Sequence, residues 1–96
     1  MTRPSKLDDE EIRERLAGMP SWKVVNGKLH RSFRFKDFVH AFGFMTSLAL
    51  VAEDLDHHPD WSNVYNRVVI DLSTHDVGGI TKLDFEFAEA ANKLYD

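Results

Sequence analysis

The stretch between Lys36 and Leu55 carries the longest helical pattern in this sequence, and it is apolar over most of its circumference. One predicted face holds Phe38, Phe42, Met45, Leu48, Ala49 and Ala52, and it is widened by Val39, Phe44, Val51 and Leu55. The remaining polar stripe is narrow and runs through Lys36, His40, Ser47 and Asp54. Such a helix needs more than its own sheet to cover it, so the pattern predicts a second subunit against residues 36–55 or, alternatively, a helix enclosed in the core.

The segments before and after this helix alternate with period two, which is typical of β-strands. Asn26-Gly27 favours the type I′ turn of a hairpin, because both residues tolerate a positive φ. In the strand that follows, Leu29, Phe33 and Phe35 alternate with His30, Ser32 and Arg34, and Arg31 is the misfit. After the helix, Asn63 to His75 predicts one long strand or two short ones with a break near Asn66. One face of this segment carries Val64, Val68, Ile70, Leu72 and Thr74.

Helix signals at the two ends of the chain complete the pattern. Ser5 and Asp8 have the spacing of an N-cap pair, and the helix they predict ends at Gly18-Met19-Pro20. Thr81 and Asp84 have the spacing of a capping box before a terminal helix. The predicted order is α-β-β-α-β-β-α: an α+β fold with a four-stranded antiparallel sheet and helices packed on one face, formed by residues 1–96 as a single domain.

Charge and composition exclude several classes of function. The net charge is −4 and no run of Lys or Arg occurs, which argues against direct nucleic-acid binding. The N-terminus is charged, and nowhere do about 18 apolar residues follow one another, so neither secretion nor a membrane span is expected. Cysteine is absent, which fits a reducing compartment and predicts a cytoplasmic protein.

The residues that favour chemistry lie at the end of the long helix. His57 and His58 are adjacent, and Pro59 disfavours helical geometry at His58, so it should end the helix there. His75 is expected at the end of the following strand. Imidazole has an ordinary pKa of about 6.5, so grouped histidines can both give and take protons near neutral pH. This predicts acid–base chemistry, with His30 and His40 as surface residues.

Each of these features also has a purely structural interpretation. Histidine is favoured at helix C-termini, Glu53 has the spacing of a helix-surface pair with His57, and Trp61 suits a core position. Asp84 is explained by capping alone. A metal site is disfavoured because no HExxH or similar spacing occurs, and nucleophilic catalysis is disfavoured because cysteine and a Gly-x-Ser-x-Gly elbow are both absent.

Taken together, Glu53, His57-His58-Pro59, Tyr65, His75 and Asp84 resemble the spaced signature of the pterin-4a-carbinolamine dehydratases. Four flanking stretches are similar to blocks of that family in the same order: Phe35-Lys36-Asp37-Phe38, Ala41-Phe42-Gly43-Phe44-Met45-Thr46, Asn63-Val64-Tyr65-Asn66 and Leu72-Ser73-Thr74-His75. The resemblance covers roughly Trp22 to the C-terminus.

The resemblance implies dehydration of 4a-hydroxytetrahydropterin to quinonoid dihydropterin, a step in tetrahydrobiopterin recycling that needs no metal and no cofactor. It implies that His57, His58 and His75 line the pterin site, that Glu53, Pro59 and Asp84 bind or orient, and that Trp61 shapes the pocket. It also implies a homodimer or homotetramer through the helix at 36–55. The alternative that it implies is a dimerisation cofactor for a homeodomain transcription factor, a role described for the family in animals.

Overall fold

Residues 4–96, which a computed structural model describes, form a four-stranded antiparallel sheet and three helices in the predicted order α-β-β-α-β-β-α. The elements are α1 (Asp9–Ala17), β1 (Lys23–Val25), β2 (Lys28–Arg34), α2 (Phe38–Leu55), β3 (Asp60–Val64), β4 (Arg67–Leu72) and α3 (Lys82–Tyr95). A short 3-10 turn, His75–Val77, lies between β4 and α3. The strands are ordered β1-β2-β4-β3, so the two hairpins meet where β2 pairs with β4.

The first hairpin follows the prediction closely. Asn26 and Gly27 have φ of 52° and 78°, as a type I′ turn requires, and Val25 pairs with Lys28 across it. Leu29 and Phe33 are fully buried on the core side of β2. Arg31 shares their side of the strand, where its guanidinium lies 4.4 Å from the centre of the Phe33 ring. The charge therefore sits on an aromatic face at the edge of the core.

The second hairpin breaks at Tyr65, which has a φ of 51°, next to the predicted position at Asn66. The prediction that Val64 shares a buried face with Val68 is wrong, because Val64 is 62% exposed. A two-residue turn places Val64 opposite Arg67, so the alternation of the strand restarts after the turn. Thr74 is buried as expected.

Helix α2 ends earlier than the proline suggested. Asp56 adopts a left-handed conformation, and its N–H donates to the Glu53 carbonyl. The His57 N–H donates to the Ala52 carbonyl at 3.0 Å, which completes a Schellman motif. The helix therefore stops at Leu55, and the prediction that Pro59 ends it at His58 is wrong.

Helix α2 begins at Phe38, with Asp37 as its N-cap. The backbone N–H and the imidazole of His40 both donate to the Asp37 carboxylate, which holds the pKa of Asp37 below its ordinary value. The other two helices are also capped. Helix α1 has Asp8 rather than the predicted Ser5 as N-cap, while α3 has the predicted box of Thr81 and Asp84.

The apolar circumference of α2 divides into two surfaces. One packs into the core and holds Ala41, Phe44, Leu48 and Ala52. The other is exposed, and we call it the outer face of α2; it holds Phe38 (49% exposed), Val39 (75%), Phe42 (54%) and Leu50 (72%). The alternative of a helix enclosed within the core of one chain is therefore wrong. By length and composition alone α2 could also cross a membrane, as core helices of soluble proteins can.

Candidate active site

The exit of α2 sends its two histidines into different surroundings. Because Asp56 is left-handed, the chain reverses direction immediately before His57. His57 is 5% exposed and lies under the surface, whereas the neighbouring His58 is largely exposed. The left-handed conformation of Asp56 thus precedes one buried imidazole, that of His57, and one exposed imidazole, that of His58.

His57 is held by a buried carboxylate from α3. Its Nε2 donates to Oδ1 of Asp84 at 2.5 Å, and Asp84 is completely buried. The other oxygen, Oδ2, accepts from the Thr81 N–H and from the Thr74 hydroxyl, both at 2.9 Å. Asp84 therefore caps α3, as the sequence predicts, and also binds His57, so the interpretation of Asp84 as a cap alone is incomplete.

His58 is paired with Glu53. Its Nε2 donates to Oε2 of Glu53 at 2.6 Å, on the exposed surface of the helix end. The interpretation that Glu53 pairs with His57, one turn further along the helix, is wrong. The reversal at Asp56 brings His58 back over the last turn and leads His57 inward.

These two pairs have the same consequence for the imidazoles. An ionised carboxylate only accepts hydrogen bonds, so the Nε2 atoms of His57 and His58 carry hydrogens. In each ring Nδ1 is then the nitrogen available to exchange a proton with a ligand. His75 is exposed, begins the 3-10 turn, and makes no side-chain hydrogen bond with any residue from 4 to 96. Two oriented imidazoles and one unpaired imidazole are thus available.

All three histidines line one cavity of about 170 Å³. We call it the histidine cavity; its lining residues are Asp56, His57, His58, Ser73, Thr74, His75 and Asp76. The expected position of His75 at a strand end is wrong by a few residues, since β4 stops at Leu72. The short turn that follows nevertheless brings His75 to the corner formed by His57 and His58.

A larger cavity of about 660 Å³ lies between the first half of α2 and the end of α3. Its walls include Phe35, Phe44 and Tyr95, and its only histidine, His40, is hydrogen-bonded to Asp37. Volume alone favours this cavity, but grouped proton donors and acceptors favour the smaller one. We therefore take the histidine cavity as the candidate active site.

The remaining predicted site residues lie apart from the cavity walls. Pro59 follows His58 but does not line the cavity. Trp61 lies on β3 opposite Ile70 and packs partly buried against the core, because its side of the strand faces the helices. His30 is hydrogen-bonded to Asp71 at 2.8 Å, away from the cavity. Trp61 thus packs against the edge of the core.

Sequence reasoning placed Thr81 in a capping box with Asp84 but missed Thr74, whose hydroxyl also binds that carboxylate. Thr74 and Thr81 are buried, and their hydroxyl oxygens are 2.8 Å apart. A signal existed for Thr74, since it alternates with Ile70 and Leu72 on the buried side of the strand. A buried hydroxyl needs a hydrogen-bond partner, but the alternation does not indicate which residue provides it.

The described residues contain no group of three His, Asp or Glu side chains arranged to hold a metal ion. The carboxylates of Glu53 and Asp84 each bind one imidazole, and they do so on different sides of the His57–His58 corner.

This chain is similar to proteins of one family over nearly its whole length. A family model described as pterin 4 alpha carbinolamine dehydratase matches residues 5–94. A protein of Solibacter usitatus is 57% identical over 94% of this chain and 95% of its own length. A protein of Prochlorococcus marinus is 47% identical over 98% of each. Both are named pterin-4-alpha-carbinolamine dehydratase.

Solved structures similar to this chain include the following two. The transcriptional coactivator/pterin dehydratase from Brucella melitensis superposes with a TM-score of 0.92, is 46% identical, and covers 96% of this chain and 100% of its own. A pterin dehydratase-like protein, identified as a RuBisCO assembly factor in the alpha-carboxysome, superposes with a TM-score of 0.63 over 77% of this chain and 86% of its own. At 21% identity the second structure shows a shared fold alone.

Proposed function

Because this chain belongs to the pterin-4a-carbinolamine dehydratase family, we propose that it converts 4a-hydroxytetrahydropterin to quinonoid dihydropterin by histidine acid–base catalysis. Relatives that are 45 to 57% identical over nearly their whole length are named for this hydro-lyase activity. The observation that carries the mechanism is the grouping of His57, His58 and His75 around one cavity.

The reaction needs one proton delivered and one removed. The 4a-hydroxyl leaves as water once its oxygen has gained a proton, and the quinonoid product forms when a ring N–H has lost one. No electron is transferred, and the two protons balance. His57 and His58 offer Nδ1 atoms whose orientation is set by Asp84 and Glu53, and the unpaired His75 can turn to meet the ligand. A bound substrate would thus have proton donors and acceptors on more than one side.

The two carboxylates position the imidazoles that they bind. Asp84 is a positioning residue, because it binds Nε2 of His57 and does not line the cavity. Glu53 does the same for His58 at the surface. The histidines are the general acids and bases in this proposal, and such groups typically contribute about 10²- to 10⁴-fold to a rate.

We expect the purified chain, stripped with a chelator, to accelerate dehydration of a 4a-hydroxytetrahydropterin well above the spontaneous rate. The measurement is stopped-flow absorbance of quinonoid product formation, with heat-denatured chain as the control. A rate equal to the spontaneous one would overturn the proposed function. Activity that disappears on chelation and returns with added metal would overturn the metal-free mechanism alone.

We further propose that two or more copies associate through the outer face of α2. Phe38, Val39, Phe42 and Leu50 form an exposed apolar surface on a chain of 96 residues, which buries only a limited core by itself. If the α2 helices of two copies packed symmetrically against each other, the outer face of α2 would be buried in both copies. Both a homodimer and a homotetramer are compatible with this arrangement. We place the protein in the cytoplasm, which is consistent with its lack of cysteine.

Phe42→Glu should convert the oligomer into a monomer at micromolar concentration, because a buried unpaired carboxylate opposes association. Light scattering gives the mass directly. The matched control is Ser47→Glu, which adds the same charge to the polar stripe of the same helix and should leave the mass unchanged. A monomeric mass for the unmodified chain would contradict the proposed association.

The outer face of α2 also supports a second candidate function. The similar Brucella protein is named both a transcriptional coactivator and a pterin dehydratase. An exposed apolar helix face could bind a transcription factor, with any contact to DNA made by that partner because this chain is acidic. Full dehydration activity in an isolated chain favours the enzyme, whereas an inactive chain that co-purifies with a transcription factor favours this alternative.

A further inference from the structure

His75 differs from the other two histidines of the cavity in how it is held. The imidazoles of His57 and His58 are each hydrogen-bonded to a carboxylate, whereas that of His75 makes no side-chain hydrogen bond with any residue from 4 to 96. The position of the His75 ring therefore depends on the backbone of the turn that carries it. Whatever stabilises this turn also sets how often His75 lies at the corner formed by His57 and His58.

The turn runs from Thr74 to Gly79, and most of its middle residues are exposed. The Thr74 N–H donates to the Gly79 carbonyl at 2.8 Å, the Gly79 N–H donates to the Thr74 carbonyl at 3.3 Å, and the Gly78 N–H donates to the His75 carbonyl at 3.1 Å. Between the two ends His75, Asp76 and Gly78 are exposed to solvent. A turn with so little buried surface opens readily unless another segment packs on it.

The chain just before α1 packs on this turn, and we call residues 6–8 the Lys6 strap. The Leu7 N–H donates to the Ile80 carbonyl at 2.8 Å, which fixes the backbone of the strap beside the turn. The stem of Lys6 lies against Gly79, where a Cβ atom would be 2.6 Å from Cε, 2.9 Å from Cδ and 3.0 Å from Cγ of the lysine. A lysine stem can cover a neighbouring surface in this way while its ammonium stays in water.

The lack of a side chain at Gly79 allows this close approach. Gly78 has a φ of 67°, a conformation that favours glycine, but the φ of Gly79 is not positive. The backbone conformation of Gly79 therefore does not require glycine. A Cβ at position 79 would lie inside the about 3.5 to 4.0 Å at which carbon atoms pack, so the stem of Lys6 would have to move. The contact depends on both residues, and changing either one removes it.

We propose that Lys6 is a positioning residue, whose stem holds the turn at 74–79 and thereby keeps His75 at the histidine cavity. The inference rests on the proposed dehydration, in which His75 exchanges a proton with the ligand. The Lys6 strap does for His75 what Asp84 and Glu53 do for the other two imidazoles, with packing in place of a hydrogen bond. Lys6 does not line the histidine cavity, so it acts through the turn.

Lys6→Ala should lower kcat for carbinolamine dehydration about fivefold and leave KM nearly unchanged, because the imidazole is still present but lies less often where it can transfer a proton. Lys6→Met keeps most of the stem without its charge and should retain at least about half of the activity. Amide hydrogen exchange at Gly79 should be about tenfold faster in Lys6→Ala, because the turn opens more often. The control is Lys93→Ala, which removes an exposed lysine from α3 and should change neither kcat nor the exchange.

Gly79→Ala removes the same contact from its other side, since the added Cβ displaces the Lys6 stem. It should show the same loss of kcat as Lys6→Ala, and the double variant Lys6→Ala/Gly79→Ala should lose no more than either single variant. Losses that multiply in the double variant would mean that the two residues act separately, which overturns the inference. An unchanged kcat in Lys6→Ala, or an equal loss in Lys6→Met, also overturns it.

The exchange measurement separates this inference from the proposed function, because it needs no substrate. Exchange at Gly79 that Lys6→Ala leaves unchanged overturns the role of the Lys6 strap, while the dehydration itself stands. If the unmodified chain dehydrates no carbinolamine, the proposed function fails, and the positioning role of Lys6 in catalysis fails with it.

Discussion

His58→Ala and His75→Ala should each lower kcat/KM for carbinolamine dehydration by at least about 100-fold, because each removes a group that can transfer a proton at the histidine cavity. Both side chains are solvent-exposed, so the thermal midpoint should change little. Stopped-flow kinetics with matched thermal melts measures the two quantities on the same samples.

The control for these two variants is His40→Ala, which removes an exposed histidine that lines the other cavity and is bonded to Asp37. It should retain its activity. Full activity in both His58→Ala and His75→Ala would remove the mechanism, whereas equal losses in all three variants would point to a general loss of structure.

Asp84→Ala should destabilise the fold by about 3 to 5 kcal/mol, because it removes the buried carboxylate that accepts from three buried donors. These donors are Nε2–H of His57, the hydroxyl of Thr74 and the N–H of Thr81. Domains of this kind unfold with about 5 to 15 kcal/mol in total, so a large part of the stability is at stake. Urea unfolding followed by fluorescence measures the change.

Glu86→Ala provides the comparison for Asp84→Ala, since Glu86 is an exposed acid on the same helix and its loss should change stability by less than about 0.5 kcal/mol. A second variant, Thr74→Val, removes only one donor to Asp84 and keeps the side-chain shape. It should therefore be less destabilised than Asp84→Ala. If Asp84 positions His57, Thr74→Val changes the pH profile of kcat as well as stability. Stability that is unaffected in Asp84→Ala would contradict the network.

The order of elements was predictable because the local signals agree with one another. Period-two alternation, the Asn26–Gly27 turn and the Thr81–Asp84 capping box each specify one element within a few residues. The ends of elements were less predictable. A left-handed residue that ends a helix is difficult to recognise in a sequence unless it is glycine. For this reason the end of α2 was predicted from Pro59, and the actual end at Asp56 was missed.

Residue partners were harder to predict than residue positions. The predicted site residues included His57, His58, His75, Glu53 and Asp84. In the structure the three histidines line one cavity. Which carboxylate meets which imidazole depends on a chain reversal at one residue, and helical spacing suggested the wrong pair for Glu53. Thr74 donates a hydrogen bond to Asp84, which lies ten residues away, and no short-range pattern encodes that contact.

The double attachment of Asp84 links two motions that would otherwise be independent. Fraying of the first turn of α3 breaks the bond between Oδ2 and the Thr81 N–H, and it carries Oδ1 away from His57 at the same time. Transient opening of this helix end and release of the imidazole are then one event with one frequency. Amide hydrogen exchange at Thr81 would therefore report, in the resting molecule, how often the His57 ring is set free.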